Sequence, residues 1–103
     1  MPHSVTVSGT PPPAPGKAVR VMVEGTAVGV FNVSGALHAI EAKCTHVGGP
    51  LEQGVVSGTV VTCPWHGSQF DLTSGAVRRG PANRPVRSFP VRAEGDSLIV
   101  ELP

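Results

Sequence analysis

Apolar positions recur every second residue over much of the chain. Val5 and Val7, then Val19, Val21 and Val23, follow that spacing, which marks a strand with one face buried. Near the end Leu98, Val100 and Leu102 repeat it, and Phe89 with Val91 does so just before them. No stripe of helical period is present. Turn signals punctuate the pattern at GTPPPAPG (9–16), EGT (24–26), SG (34–35), SG (57–58), TSG (73–75) and EGD (94–96), as expected for antiparallel hairpins. The pattern predicts strands near 4–8, 18–24, 27–33, 36–41, 59–63, 69–72, 76–79, 86–93 and 97–102.

An all-β fold follows, with the C-terminal hairpin closing the core. The stretch KCTHVGGPLEQGVVSG (43–58) departs from alternation and is rich in glycine, so it reads as a loop with a function. PPPAP (11–15) reads as an extended surface connection. At 103 residues the chain makes one domain, 1–103. Its 13 glycines and 11 prolines fit many tight turns between short segments.

Charge adds exclusions. The formal net charge is +1, but five arginines (78, 79, 84, 87 and 92) fall between Asp71 and Glu94 with no acid among them. Neither a basic domain nor aromatic readers for nucleic acid are present, so no nucleic-acid partner is expected. No run of apolar residues reaches the ~18 that span a bilayer, and the N-terminal residues lack a secretory core. The expectation is a soluble, cytoplasmic protein without a membrane anchor.

Two short segments carry the chemistry: Cys44-Thr45-His46 and Cys63-Pro64-Trp65-His66, with 47–62 between them. Each offers one sulfur and one imidazole. A strand pair turning at Ser57-Gly58 would set the two loops side by side at one end of a sheet. Three readings of the four side chains compete. A Cys44–Cys63 disulfide would stabilise by roughly 3 kcal/mol, but it leaves both histidines unexplained and suits an oxidising compartment. Structural zinc accepts two thiolates and two imidazoles, although its common form pairs cysteines on one knuckle and histidines on a helix. A 2Fe-2S cluster with one iron on two cysteines and the other on two histidines suits two mixed loops.

The segments C-T-H-V-G-G-P-L (44–51) and C-P-W-H-G-S-Q-F-D (63–71) resemble the Rieske family. The likeness runs from about Lys17 to Leu102, and Gly80-Pro81-Ala82 looks like the family's third, cluster-covering loop. The resemblance implies an antiparallel sandwich, a base plus a small cluster-binding subdomain (about 42–83) formed by two or three loops. It implies one 2Fe-2S cluster per chain, with Cys44 and Cys63 on the buried iron and His46 and His66 on the exposed one. Gly48, Gly49 and Gly67 would let backbone N–H groups approach the cluster sulfides, and Pro50 and Pro64 would stiffen the loops.

Ser68 stands where the family often offers a hydroxyl to a cluster sulfur, which raises the potential. Phe70 stands where high-potential members have tyrosine, and Gly49 and Trp65 where they have a loop-tying cysteine pair. Trp65 is expected to cover the cluster's flank by packing. Within a family range of about −150 to +300 mV, these features place the chain between about −150 and +100 mV. Ionisation of the ligand imidazoles would lower the potential at alkaline pH by up to ~59 mV per unit per proton.

His3, near a loosely held terminus, and His38, within a strand, are not expected to bind metal. No nucleophile with an activating base is present, so no catalytic site is expected. The resemblance implies a one-electron carrier, like the ferredoxins that pass electrons from a flavin-dependent reductase to a terminal oxygenase or another acceptor. The alternatives are a small subunit like that of nitrite reductase and, from another class, a zinc-stapled structural module. The arginines either steer an acidic partner or form a solvated edge. Oligomeric state is not legible in the sequence.

Overall fold

The computed structural model describes residues 3–43, 50–65 and 67–102. Within them the chain runs through β1 (His3–Val7), β2 (Ala18–Val23), β3 (Thr26–Val33) and β4 (Ala36–Glu41), then a short 3-10 turn (Leu51–Gln53). It continues with β5 (Val55–Ser57), β6 (Val60–Thr62), β7 (Gln69–Asp71), β8 (Val77–Arg79), β9 (Ser88–Phe89), β10 (Val91–Glu94) and β11 (Ser97–Leu102). The strands form three antiparallel sheets, ordered β1-β11-β10, β2-β3-β4-β9 and β5-β6-β7-β8.

The middle sheet is built from two tight hairpins. Each turns on a non-glycine residue of positive φ followed by a glycine: Glu24-Gly25 between β2 and β3, and Ser34-Gly35 between β3 and β4. Two successive left-handed residues match the twist of the flanking strands. Because neighbouring side chains on a strand point to opposite faces, this sheet buries apolar residues on both. Val28 and Val30 of β3 and Ala39 of β4 pack with Leu98 and Val100 of the first sheet. Phe31 and Ile40, one position on, pack with Val61 and Phe70 of the third sheet.

Three expectations are corrected. The predicted strand 86–93 is two strands, since β9 pairs with β4 and β10 pairs with β11. Pro90 between them has no N–H to give a ladder, and the chain changes sheet there. The stretch read as a loop at 43–58 contains β5 and the 3-10 turn. His3 is not at a loose end: it pairs with Leu102 in β1, and its Nε2 lies 2.8 Å from Glu24 Oε1. Among the described residues, no helix is long and apolar enough to cross a membrane.

Candidate metal centre

The second apolar cluster, between the middle and third sheets, gathers the ends of three loops. Leu51 follows the first cysteine–histidine segment, Cys63 begins the second, and Ala82 lies in the Gly80-Pro81-Ala82 stretch. All three are buried in that cluster with Phe31, Ile40, Val61 and Phe70. Burial of Leu51 and Ile40 contributes about 1.5–3 kcal/mol each, so loop positions are fixed by the core.

Backbone bonds close each loop at its base. For the first, Lys43 and Pro50 form an antiparallel bridge and the Leu51 N–H donates to the Ala42 carbonyl at 2.8 Å. The 3-10 turn then rests against β6, where a Cβ on Gly54 would overlap the Thr62 carbonyl oxygen, so only glycine fits. For the second, the Cys63 N–H donates to the Ser68 carbonyl at 2.7 Å, and Gly67 takes φ +79 between them. The third is tied by Val86 N–H to the Gly75 carbonyl at 3.0 Å and by Ala82 N–H to Ser68 Oγ at 3.0 Å.

Of the sequence-predicted site residues, the structure places two. Cys63 is 2% exposed, and Ser68 is fully buried. Because Ser68 Oγ accepts from Ala82, its hydroxyl proton remains to be donated. Cys44, His46 and His66 lie outside the described residues, as do Gly48 and Gly49. The surroundings suit a soft, desolvated group: a buried sulfur and a buried hydroxyl beside apolar side chains.

Trp65, expected to cover the flank of a bound cluster, is 50% exposed, and its neighbour His66 and the segment 44–49 lie outside the described residues. Phe70 is fully buried, as a packing residue with no hydroxyl to give.

Just beyond the second loop lies a polar knot that the sequence reading missed. Asp71, at the end of β7, accepts from the Thr73 N–H at 2.8 Å, from the Thr73 hydroxyl, and from Arg78 Nη2 at 2.9 Å. The Thr73 side-chain and backbone bonds, with a smaller contribution from Arg78, lower the Asp71 pKa to about 2. The spacing Asp71-x-Thr73 at a turn is the signal that could have found it. The knot fixes the turn between β7 and β8, and β8 leads into the third loop.

The five arginines do not form one open patch. Arg78 pairs with Asp71, Arg87 with Glu41 and Arg92 with Glu94. Arg79 has no ion pair among the described residues. A groove of about 550 Å³ lies elsewhere, lined by Pro15, Lys17, Phe31, Glu52 and Val56 among others and by neither Cys63 nor Ser68.

Comparison with known proteins agrees with this geometry. A family model described as the Rieske [2Fe-2S] domain matches residues 4–90. The biphenyl dioxygenase ferredoxin subunit of Pseudomonas sp. (strain KKS102) is 35% identical over 88 residues, covering 84% of this chain and 81% of that protein. The ferredoxin of carbazole 1,9a-dioxygenase from Nocardioides aromaticivorans IC177 superposes with a TM-score of 0.79 at 28% identity, covering 97% of this chain and 96% of that one. A Mycobacterium tuberculosis protein described as an NADH-dependent nitrite reductase small subunit superposes with a TM-score of 0.81 over 100% of this chain and 97% of that one. At 23% identity that last likeness speaks for the fold alone.

Proposed function

Because the chain belongs to the Rieske [2Fe-2S] domain family, whose members carry a 2Fe-2S cluster, we propose that it is a one-electron carrier of a multicomponent oxygenase system. It takes electrons from a flavin-dependent reductase and passes them to a terminal oxygenase in the cytoplasm, without a catalytic site of its own. The names of the biphenyl and carbazole dioxygenase ferredoxins, each matched over most of its own length, support this reading. The zinc-stapled and disulfide readings fall with the family assignment.

The observation that carries the proposal is the gathering of Leu51, Cys63 and Ala82 into one buried cluster, which sets three loop bases around one point. In this reading Cys44 and Cys63 hold the inner iron, His46 and His66 the outer one, and residues 42–83 form the cluster-bearing unit. When bound, the group supplies a one-electron couple in the range of about −150 to +300 mV. Burial of Cys63 keeps its sulfur from water and oxidants. The spare proton of Ser68 is placed to favour the more negative, reduced state.

Anaerobically purified protein is expected to contain iron and acid-labile sulfide in equal amounts. Its reduced form should give the paramagnetic resonance signature of mixed cysteine and histidine ligation. With the reductase and oxygenase of a biphenyl dioxygenase system, substrate oxidation should depend on added chain. A colourless protein without sulfide would end the proposal.

A further inference from the structure

Two carboxylates, those of Asp71 and Glu52, sit on side chains only 9% and 10% exposed. Asp71 is matched by donors from Thr73 and Arg78. Glu52 is not: its Oε1 is buried without a hydrogen bond among the described residues, and Arg20 Nη1 stands 3.5 Å away on a side chain 39% exposed. Water screens the arginine far more than it screens the glutamate. Inside the protein the pair therefore leaves a net negative field.

That field falls on the feet of both cysteine–histidine segments. Glu52 follows Leu51, whose N–H is held by the carbonyl of Ala42, two residues before Cys44. Gly54, two residues after Glu52, abuts the carbonyl of Thr62, the residue before Cys63. On the other side, a Cβ at Gly29 would lie 3.0 Å from Phe31 Cε1 and 3.5 Å from Glu52 Cβ, so the glutamate stem rests on β3 beside the Phe31 ring. Leu51, Phe31 and Cys63 belong to one apolar cluster. The carboxylate is thus fixed at the border of the cluster that buries the Cys63 sulfur.

We infer that Glu52 sets the reduction potential: its under-compensated negative charge disfavours the added electron and holds the potential below what the ligands and Ser68 alone would give. This rests on the carrier reading above. Reduction makes the metal group one charge more negative, so a like charge fixed nearby raises its cost and a cation lowers it. Glu52 and Arg20 therefore pull in opposite directions, and the desolvated glutamate pulls harder.

Protein-film voltammetry of the holoprotein and three variants at neutral pH tests this. Glu52→Gln should favour reduction two- to fivefold, a rise of about 20–40 mV at 59 mV per tenfold. Arg20→Met should disfavour it by up to about twofold, and Glu52→Asp, which keeps the charge, should stay close to the wild type. The Glu52→Gln shift should persist at high salt while the Arg20→Met shift fades. The paramagnetic resonance spectrum of reduced Glu52→Gln should match that of the wild type. An unchanged potential in Glu52→Gln would overturn the inference. Shifts of the same sign in Glu52→Gln and Arg20→Met, or an altered spectrum, would do so in favour of a role in seating the first loop. Should Glu52→Gln lose the metal group, a raised potential in Arg20→Met would be the overturning result. A wild-type chain without iron and sulfide would end the carrier reading and this inference with it, whereas a loaded chain whose potential ignores Glu52 would end this inference alone.

Discussion

The Ala82 N–H donates to Ser68 Oγ at 3.0 Å, with Ser68 fully buried and Ala82 4% exposed. One hydroxyl thus clamps the third loop to the second and keeps its own proton for a further acceptor. In the proposed centre that acceptor is a cluster sulfur, so the hydroxyl would serve both the fold and the potential.

Ser68→Ala should therefore have two separable effects. Loss of a hydrogen bond to the more negative state lowers the potential, by about 40–90 mV if the bond is worth about 1–2 kcal/mol. The stranded Ala82 N–H should cost a further ~1–2 kcal/mol of stability. Protein-film voltammetry and thermal unfolding of the same variant check both; an unchanged potential would leave Ser68 as a clamp only.

Asp71 gives a pH dependence of definite sign. Its folded pKa, about 2, lies below the ordinary 3.8, chiefly because both Thr73 donors bind the carboxylate. The stabilisation is fully present above about pH 4 and is lost as pH falls through about 2. Asp71→Asn should cost roughly 1 kcal/mol at neutral pH, the exposed Arg78 guanidinium adding little. The gap in unfolding midpoint between the two proteins should narrow steadily from pH 4 to pH 2. A constant gap would show that the carboxylate's charge is not what holds this turn.

How far the sequence revealed this molecule depends on which residues speak locally. Alternation and the Glu24-Gly25 and Ser34-Gly35 turns locate β2, β3 and β4 because each hairpin is specified by its own residues. The change of sheet at Pro90 was hidden, since Phe89 and Val91 alternate like one strand although they serve different sheets. The two cysteine–histidine segments left disulfide, zinc and cluster readings open by spacing alone, and it was their resemblance to the Rieske family that the family match bears out. The bond between Ser68 and Ala82 was not legible, because it joins a side chain to a backbone group fourteen residues on. The half-exposure of Trp65 was equally hidden, because residue type alone does not set burial at a loop position.

Gly75 takes φ +80, and a Cβ there would overlap the Val86 carbonyl oxygen, while the Gly75 carbonyl accepts from the Val86 N–H at 3.0 Å. Gly16 has nearly the same φ, +82, with open space around it. Gly16→Ala should thus cost only the backbone strain, about 1 kcal/mol. Gly75→Ala adds a steric displacement of the buried Val86 and should cost about 2–4 kcal/mol. Denaturant unfolding of the pair checks the difference. Equal losses would mean that the segment around Val86 yields without resistance and does not fix the third loop.

Glu52, in the 3-10 turn that follows the first loop, holds one carboxylate oxygen buried without a hydrogen bond among the described residues. The guanidinium of Arg20 on β2 approaches that oxygen at 3.5 Å, and the glutamate side chain is 10% exposed against 39% for the arginine. The contact is too long for a good charge-assisted bond, so its worth lies in compensating a desolvated charge. Removing the arginine should then hurt more than neutralising the acid. Arg20→Met is expected to destabilise by about 1 kcal/mol, a value reduced by the arginine's exposure. Glu52→Gln should be close to neutral, and in that background Arg20→Met should lose most of its effect. Unfolding of the two single variants and the double variant tests this. If Arg20→Met costs as much with glutamine at 52 as with glutamate, the arginine acts by packing its stem on the turn, and the ion pair contributes nothing to seating the loop.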